Sequence, residues 1–175
     1  RVLELGCGPG TGVAGVASWA AERDIELTHR VTDLLPANVK AAVALGEKLG
    51  VAVDGAVVDV RKGVPSQLPD KQPVDLLLIM NLVNELPDIA NHRIINAADR
   101  LAANGVVLVI EPAAKPASRR ALALRDAFCA AGWHVRLPCT HDEACPALAA
   151  DDDWCHGEWR FDRPEFMRAV DAKVG

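Results

Sequence analysis

An α/β fold, a mostly parallel sheet with helices on both faces, is predicted by three features of this 175-residue chain. Apolar runs suited to strands alternate with amphipathic stretches suited to helices along most of its length. A glycine-rich turn, Glu4-Leu5-Gly6-Cys7-Gly8-Pro9-Gly10-Thr11-Gly12, joins the first strand to the first helix. Pro73 to Asn81 is almost entirely apolar, as a strand covered on both faces requires.

Strand one is already under way at Arg1-Val2-Leu3, and there is no initiator Met. That is the expectation for a piece of a longer protein truncated at both ends, and the lack of a leader then says little about targeting. The glycines of the turn permit a sharp bend and close approach of a ligand to the main chain. Glu4 stands two residues before the first glycine, where dinucleotide folds usually carry an apolar residue. Val13 to Glu22 has alanines and valines at helical spacing, with Trp19 expected on the apolar side. The N-terminus of that helix aims peptide N–H groups at the turn, a suitable place for a carboxylate or other anion.

Ile25 to Asp33 reads as strand two. Asp33 lies about twenty residues past the turn, the spacing at which a strand-end acid accepts hydrogen bonds from ribose hydroxyls. Capping the helix that Pro36 opens is the alternative, but a nearer residue could do that equally well. That helix, Pro36 to Leu49, stops at Gly50. Strand three is expected over Val51 to Val60, with Asp59 near its end as either a ligand contact or a solvated acid. Strand four leads into Leu82-Val83-Asn84-Glu85-Leu86-Pro87, which places Asn81, Asn84 and Glu85 as polar groups at a pocket mouth. Asn84 serves equally well as a helix cap.

Ile89 to Ala102 is amphipathic and ends before Asn104-Gly105; strand five follows from Val106 to Ile110 and finishes at Glu111-Pro112. Lys115, Arg119, Arg120 and Arg125 lie on the next helix, which reaches about Ala131. Four cations so close together suit phosphate, although a solvated helix face is the commoner reason for them. Gly132 to Leu137 is expected as strand six, Gly157 to Phe161 as strand seven, and Pro164 to Ala172 as a basic amphipathic helix. Arg160, Arg163 and Arg168 are placed to face RNA backbone or to act as ordinary surface charge. The predicted organisation is a core over 1–137, a cysteine- and histidine-rich insertion over 138–156, and the last strand and helix of the core over 157–175.

Half the residues are apolar, there is no tyrosine, and the net charge is −5. Residues 1–110 hold 10 basic and 13 acidic side chains, and residues 111–175 hold 9 and 11, so neither part is a basic nucleic-acid module. No stretch approaches the roughly 18 consecutive apolar residues of a membrane helix.

Three of the five cysteines fall in Pro138-Cys139-Thr140-His141-Asp142-Glu143-Ala144-Cys145-Pro146 and Trp154-Cys155-His156, on either side of Asp151-Asp152-Asp153. Thiolates at short spacing in an irregular loop suit zinc or an iron–sulfur cluster. A disulfide is the runner-up, and three cysteines cannot all pair. Cys7 is several strands away and Cys129 is expected near the far end of strand six, so His141, His156 or a residue beyond Gly175 is the candidate fourth ligand.

Glu4-Leu5-Gly6-Cys7-Gly8-Pro9-Gly10 resembles motif I of class I S-adenosylmethionine (SAM) methyltransferases. The resemblance implies a Rossmann-like sheet with an antiparallel last strand and a SAM site. Its site residues would be Glu4, directed toward the amino group of the methionine part, with Gly6, Gly8, Gly10, Asp33, Asn81 and, for the adenine amino group, Asp59. The Asn/Asp-Pro-Pro-aromatic arrangement of amino-directed nucleic-acid methyltransferases is not present after strand four. No activated cysteine nucleophile is evident there, and Glu85 is the best of few candidates for a base.

With Asn84-Glu85-Leu86, Glu111-Pro112 and the cysteine segment added, the whole chain resembles the methyltransferase-like family of small-ribosomal-subunit assembly proteins. That resemblance implies ribosomal RNA or the small subunit as partner. It also implies an iron–sulfur (4Fe-4S) cluster with Cys139, Cys145 and Cys155 as three ligands, zinc being the alternative metal. The family's fourth cysteine has no counterpart here, Thr140 stands for its usual proline and Gly157 for an aromatic residue. Three functions follow as expectations: an rRNA methyltransferase, a non-catalytic SAM-binding assembly factor, and a zinc-containing small-molecule methyltransferase. The cytoplasm is the default compartment, with the mitochondrial matrix as alternative, and no oligomeric state is implied.

Overall fold

A computed structural model of the chain describes residues 1–63, 73–87, 90–99, 101–158, 162 and 164–174. In chain order the elements are β1 (Val2–Leu5), α1 (Thr11–Ala21), β2 (Thr28–Asp33), α2 (Pro36–Leu49), β3 (Ala52–Val57), β4 (Val74–Met80), α3 (Asn91–Ala98), β5 (Leu101–Ile110), α4 (Lys115–Ala130) and α5 (Glu165–Val174). The strands form one sheet in the order β3-β2-β1-β4-β5, with every neighbouring pair parallel. Strand order reverses on either side of β1, which opens a crevice above the carboxyl ends of β1 and β4.

All four residues of β1 are buried, as the central strand of a sheet covered on both faces must be. On one face Leu3, Leu5, Leu77 and Ile79 pack with Ile94 of α3 and Leu124 and Phe128 of α4. On the other, Val31 packs with Cys7, Val13 of α1 and Ala42 of α2. Each large side chain buried in this way contributes about 1.5–3 kcal/mol, so the strand ends that carry the cleft rest on a rigid base. Helix α2 has Pro36 in its first turn and ends at Gly50 in the left-handed conformation, as its sequence predicts.

Several expectations are corrected. Trp19 lies outside the core, 51% exposed, with the Arg23 guanidinium 4.9 Å from its ring centroid. A helix of alanine and small residues covers β1 without an indole beneath it. The Asn104-Gly105 turn is absorbed into β5: Val74 pairs with Leu101 and Leu76 with Val106, so β5 advances five residues while β4 advances two. The surplus makes a bulge in place of a turn. Strand three stops at Val57, and Val60–Lys62 forms a 3-10 turn capped by Asp59, whose carboxylate accepts from the Arg61 N–H.

No strand is present over residues 132–158, which carry one short 3-10 turn at Pro146–Leu148. Strand six therefore does not form. The N–H of Val135 donates to Asp142 at 2.7 Å and His134 Nδ1 lies 2.6 Å from the same carboxylate, so a local loop takes the backbone group that a sheet ladder would need. The predicted strand seven falls largely on 159–161, and Arg160 and Arg163 likewise lie outside the described residues. The sheet among the described residues is thus five-stranded and wholly parallel. No helix among them is long and apolar enough to cross a membrane.

Candidate functional site

A cleft of about 490 Å³ opens at the strand-order reversal, lined by the glycine turn, the ends of β2 and β4 and the segments that follow them. Glu4, Gly6, Gly8, Asp33, Asp59, Asn81 and Glu85 all line it. Gly10 does not. Its φ is +105°, and a Cβ there would come 3.0 Å from Ala42 Cα, so Gly10 serves the close packing of the turn on α2.

Glu4 forms the floor and is 1% exposed. Its carboxylate lies under the first turn of α1, where a Cβ on Gly12 would stand 2.1 Å from Glu4 Oε1. Across the β1–β2 ladder, His29 Nε2 is 2.9 Å from Glu4 Oε2, with both side chains essentially sealed from water. The distance is that of a hydrogen bond, but no ring N–H is aimed along it. Cys7, beside the floor, has its thiol pushed up to about 12 by burial first and then by the negative charges of Glu4 and Asp33.

Asp33 is a brace for the cleft wall. Its Oδ2 accepts from Gly8 N at 2.9 Å, and its Oδ1 from Leu35 N at 2.8 Å and Asn38 Nδ2 at 3.1 Å. One carboxylate thus ties the glycine turn to the start of α2, although it makes no capping hydrogen bond to that helix, whose N-cap is Leu35. Asp59 is held by Arg61 through Nε to Oδ1 at 2.8 Å and Nη2 to Oδ2 at 3.0 Å. The Arg61 hydrogen bonds and charge keep that carboxyl below its usual range.

The segment after β4 is locked from both sides. Asn81 takes a positive φ of 52° and donates its N–H to Ile110 O at 2.9 Å. The next three N–H groups, those of Leu82, Val83 and Asn84, all donate to the Glu111 carboxylate, at 2.8, 2.8 and 3.3 Å. Asn84 Nδ2 donates to it as well, at 2.6 Å. At the other end Arg120 donates to the carbonyls of Asn84 and Leu86 at 3.1 and 2.5 Å. Anion and cation so placed match the dipole of the 3-10 turn Val83–Glu85. Asn84 is consequently spent on Glu111 and is not brought to the cleft. Glu85 is.

Three of the basic residues of α4, Arg119, Arg120 and Arg125, hold backbone, which neither a phosphate site nor a solvated face describes. Arg119 donates to Ala150 O and Asp153 O at 2.7 and 2.9 Å, and Arg125 donates to His141 O at 2.6 Å and to Glu143 O. Ser118 donates to Cys155 O. The cysteine segment is therefore laid along α4. Cys155 has its thiol raised by burial, then by the charges of Cys139, Cys145 and Asp153, which places the three thiols within electrostatic reach of one another. Arg125, whose charge is secured chiefly by Asp126, also feels the thiols of Cys129, four residues on along α4, and of Cys139. Among the described residues no three His, Cys, Asp or Glu side chains converge as a metal-holding group, and His141 and His156 do not complete one.

The fold is similar to that of solved methyltransferases. The crystal structure of DszA carbon methyltransferase is 22% identical, with 70% of this chain and 30% of that one covered and a TM-score of 0.53. Haemonchus contortus phosphoethanolamine N-methyltransferase 1, in complex with phosphoethanolamine and S-adenosylhomocysteine, is 20% identical over 66% of this chain and 22% of that one, with a TM-score of 0.51. The chain thus spans less than a third of the length of either. No curated protein matches it. Residues 1–174 match the model of the family described as mitochondrial small ribosomal subunit Rsm22, and the chain belongs to that family.

Proposed function

We propose that this chain is a SAM-binding domain of class I methyltransferase type that works on or beside the rRNA of the small ribosomal subunit. The observation that carries this reading is the convergence of Glu4, Gly6, Gly8, Asp33, Asp59 and Asn81 on one cleft at the strand-order reversal. The cleft suits the cofactor chemically: Glu4 Oε2 is a buried carboxylate oxygen with no aligned donor, which fits a cationic amino group. Asp33 Oδ2 accepts only from Gly8 among the described contacts and has a lone pair for a ribose hydroxyl. Asp59 Oδ2 is similarly available to an adenine amino group.

SAM supplies a methyl group activated on its sulfonium. This chain's contribution is orientation, through the braced turn and the rigid segment after β4, which is the largest effect available where no general base is well placed. Binding of S-adenosylhomocysteine to the full-length protein, measured calorimetrically, is expected in the wild type and lost in Asp33→Ala. Labelled methyl appearing on small-subunit precursors in the wild type alone supports catalysis; transfer that survives Asp33→Ala overturns the assigned site.

A non-catalytic assembly factor is the second reading. The capture of Asn84 by Glu111 favours it, since Glu85 is then the one polar side chain of the Val83–Glu85 turn that lines the cleft. Cofactor binding without methyl transfer would support it.

The 4Fe-4S cluster belongs to the proposal as a structural element of the 138–156 segment, apart from the 1–137 core. Its donors are of the right chemistry in Cys139, Cys145 and Cys155, but they do not converge, and no step of the function is routed through them. Iron with acid-labile sulfide in anaerobically purified protein supports the cluster; zinc without sulfide supports the alternative metal and the small-molecule methyltransferase; neither overturns both. The family's description supports the mitochondrial matrix over the cytoplasm as compartment.

A further inference from the structure

We propose that His29 is a positioning residue for Glu4: it fixes the carboxylate at the floor of the cleft so that the α-ammonium group of the bound cofactor meets it. This rests on the SAM reading above. The Glu4 and His29 side chains are 1% and 0% exposed and 2.9 Å apart, on neighbouring strands whose ladder pairs Val2 with His29 and Glu4 with Val31. Glu4 Oε2, His29 Nδ1 and His29 Nε2 are three buried polar atoms without an aligned hydrogen-bond partner, side by side beneath one cleft. Buried polar groups are almost always satisfied, so a set of orphaned atoms beneath the cleft calls for a partner, and a bound ligand's ammonium group reaching Glu4 would supply one.

The Glu4 carboxylate lies in the protein interior. Taken out of water alone it is expensive, and a facing imidazole offsets part of that cost and fixes which way the group points. Glu4 has no other place to go. Gly12 closes the space on the side of α1, Thr32 Oγ1 binds the Glu4 carbonyl at 2.9 Å from β2, and the strand itself is buried along its length. His29 is therefore the one polar side chain within ion-pair reach of the Glu4 carboxylate among the described contacts. It touches no solvent and lies beneath the cleft lining, so its effect on a ligand passes through Glu4.

The test uses two probes on the full-length protein. S-adenosylhomocysteine carries the α-amino group; 5′-methylthioadenosine keeps the nucleoside and lacks that group. In His29→Leu the affinity for S-adenosylhomocysteine is expected to fall about tenfold or more, which is ~1.4 kcal/mol, while that for methylthioadenosine stays within about threefold. His29→Gln, whose amide can still face the carboxylate, is expected to recover most of the loss, and Glu4→Gln to remove the effect of His29→Leu in the double variant. Equal losses for both probes, failure of Gln to rescue, or unchanged affinity in His29→Leu overturns the proposal. Wild-type protein that binds neither probe overturns the SAM reading instead.

Discussion

Cys7 sits in the glycine turn, where a thiol invites the suspicion of chemistry, and its surroundings forbid it. Burial and the adjacent carboxylates of Glu4 and Asp33 raise its pKa to about 12, so at pH 8 the nucleophilic thiolate is a trace species. Iodoacetamide at that pH is expected to leave Cys7 unmodified in the folded protein and to label it on denaturation. An acid whose pKa is raised by folding holds its proton longer in the native state, so its contribution to stability is intact below about pH 8.5 and is lost as pH rises toward 12. Urea denaturation at pH 7 and pH 10 checks this: Cys7→Ser is expected to lose less stability than the wild type over that interval, the difference being on the order of 1–2 kcal/mol. At this scale the site was legible wherever chemistry follows local spacing. Glu4, Gly6, Gly8 and Asp33 are each placed by their distance from the turn. His29 was invisible because nothing in Thr28-His29-Arg30 marks it; its partner is supplied by the β1–β2 register.

The segment after β4 shows how an element acquires its role from a distant residue. Glu111, at the end of β5, gathers three consecutive backbone N–H groups and the Asn84 amide, and Arg120 of α4 takes the carbonyls that follow. Glu111→Gln keeps the shape but turns one acceptor into a donor facing donors, a cost of about 1–3 kcal/mol. Hydrogen exchange at Leu82, Val83 and Asn84 is expected to speed up by about tenfold or more, with β1 amides little changed; exchange unaltered at those three positions would show the clamp to be unimportant. Asn84 read as a pocket residue because its neighbours in sequence are, and Glu111 lies 27 positions away. The three arginines of α4 misled for a related reason. Charge spacing on a helix says which residues share a face and not whether carbonyls from another segment will lie across it.

Over the whole molecule, α4 is the member that joins the cysteine segment to the cleft, through Ser118, Arg119 and Arg125 on one side and Arg120 on the other. Arg119→Ala together with Arg125→Ala is expected to make residues 141–153 more susceptible to limited proteolysis while S-adenosylhomocysteine affinity changes less than about threefold; unchanged cleavage would mean the segment is held by other contacts. The parallel core was readable from alternating apolar runs and caps. The last strands were not, because Gly132 to Leu137 alternates well enough for a strand while Asp142, seven positions beyond Val135, claims its backbone.

The position of β1 in the sheet carries a consequence for synthesis. It is the central strand, pairing through Val2 with both His29 and Leu76. The glycine turn and Glu4 therefore leave the ribosome with one flank of their cleft still to be made, and roughly seventy residues must follow before β4 can dock. At about 5–20 residues per second that interval lasts roughly 4–15 seconds. For its duration β1 lacks β4 as its second neighbour, and a nascent chain with its glycine turn complete in sequence has only one wall of the cleft.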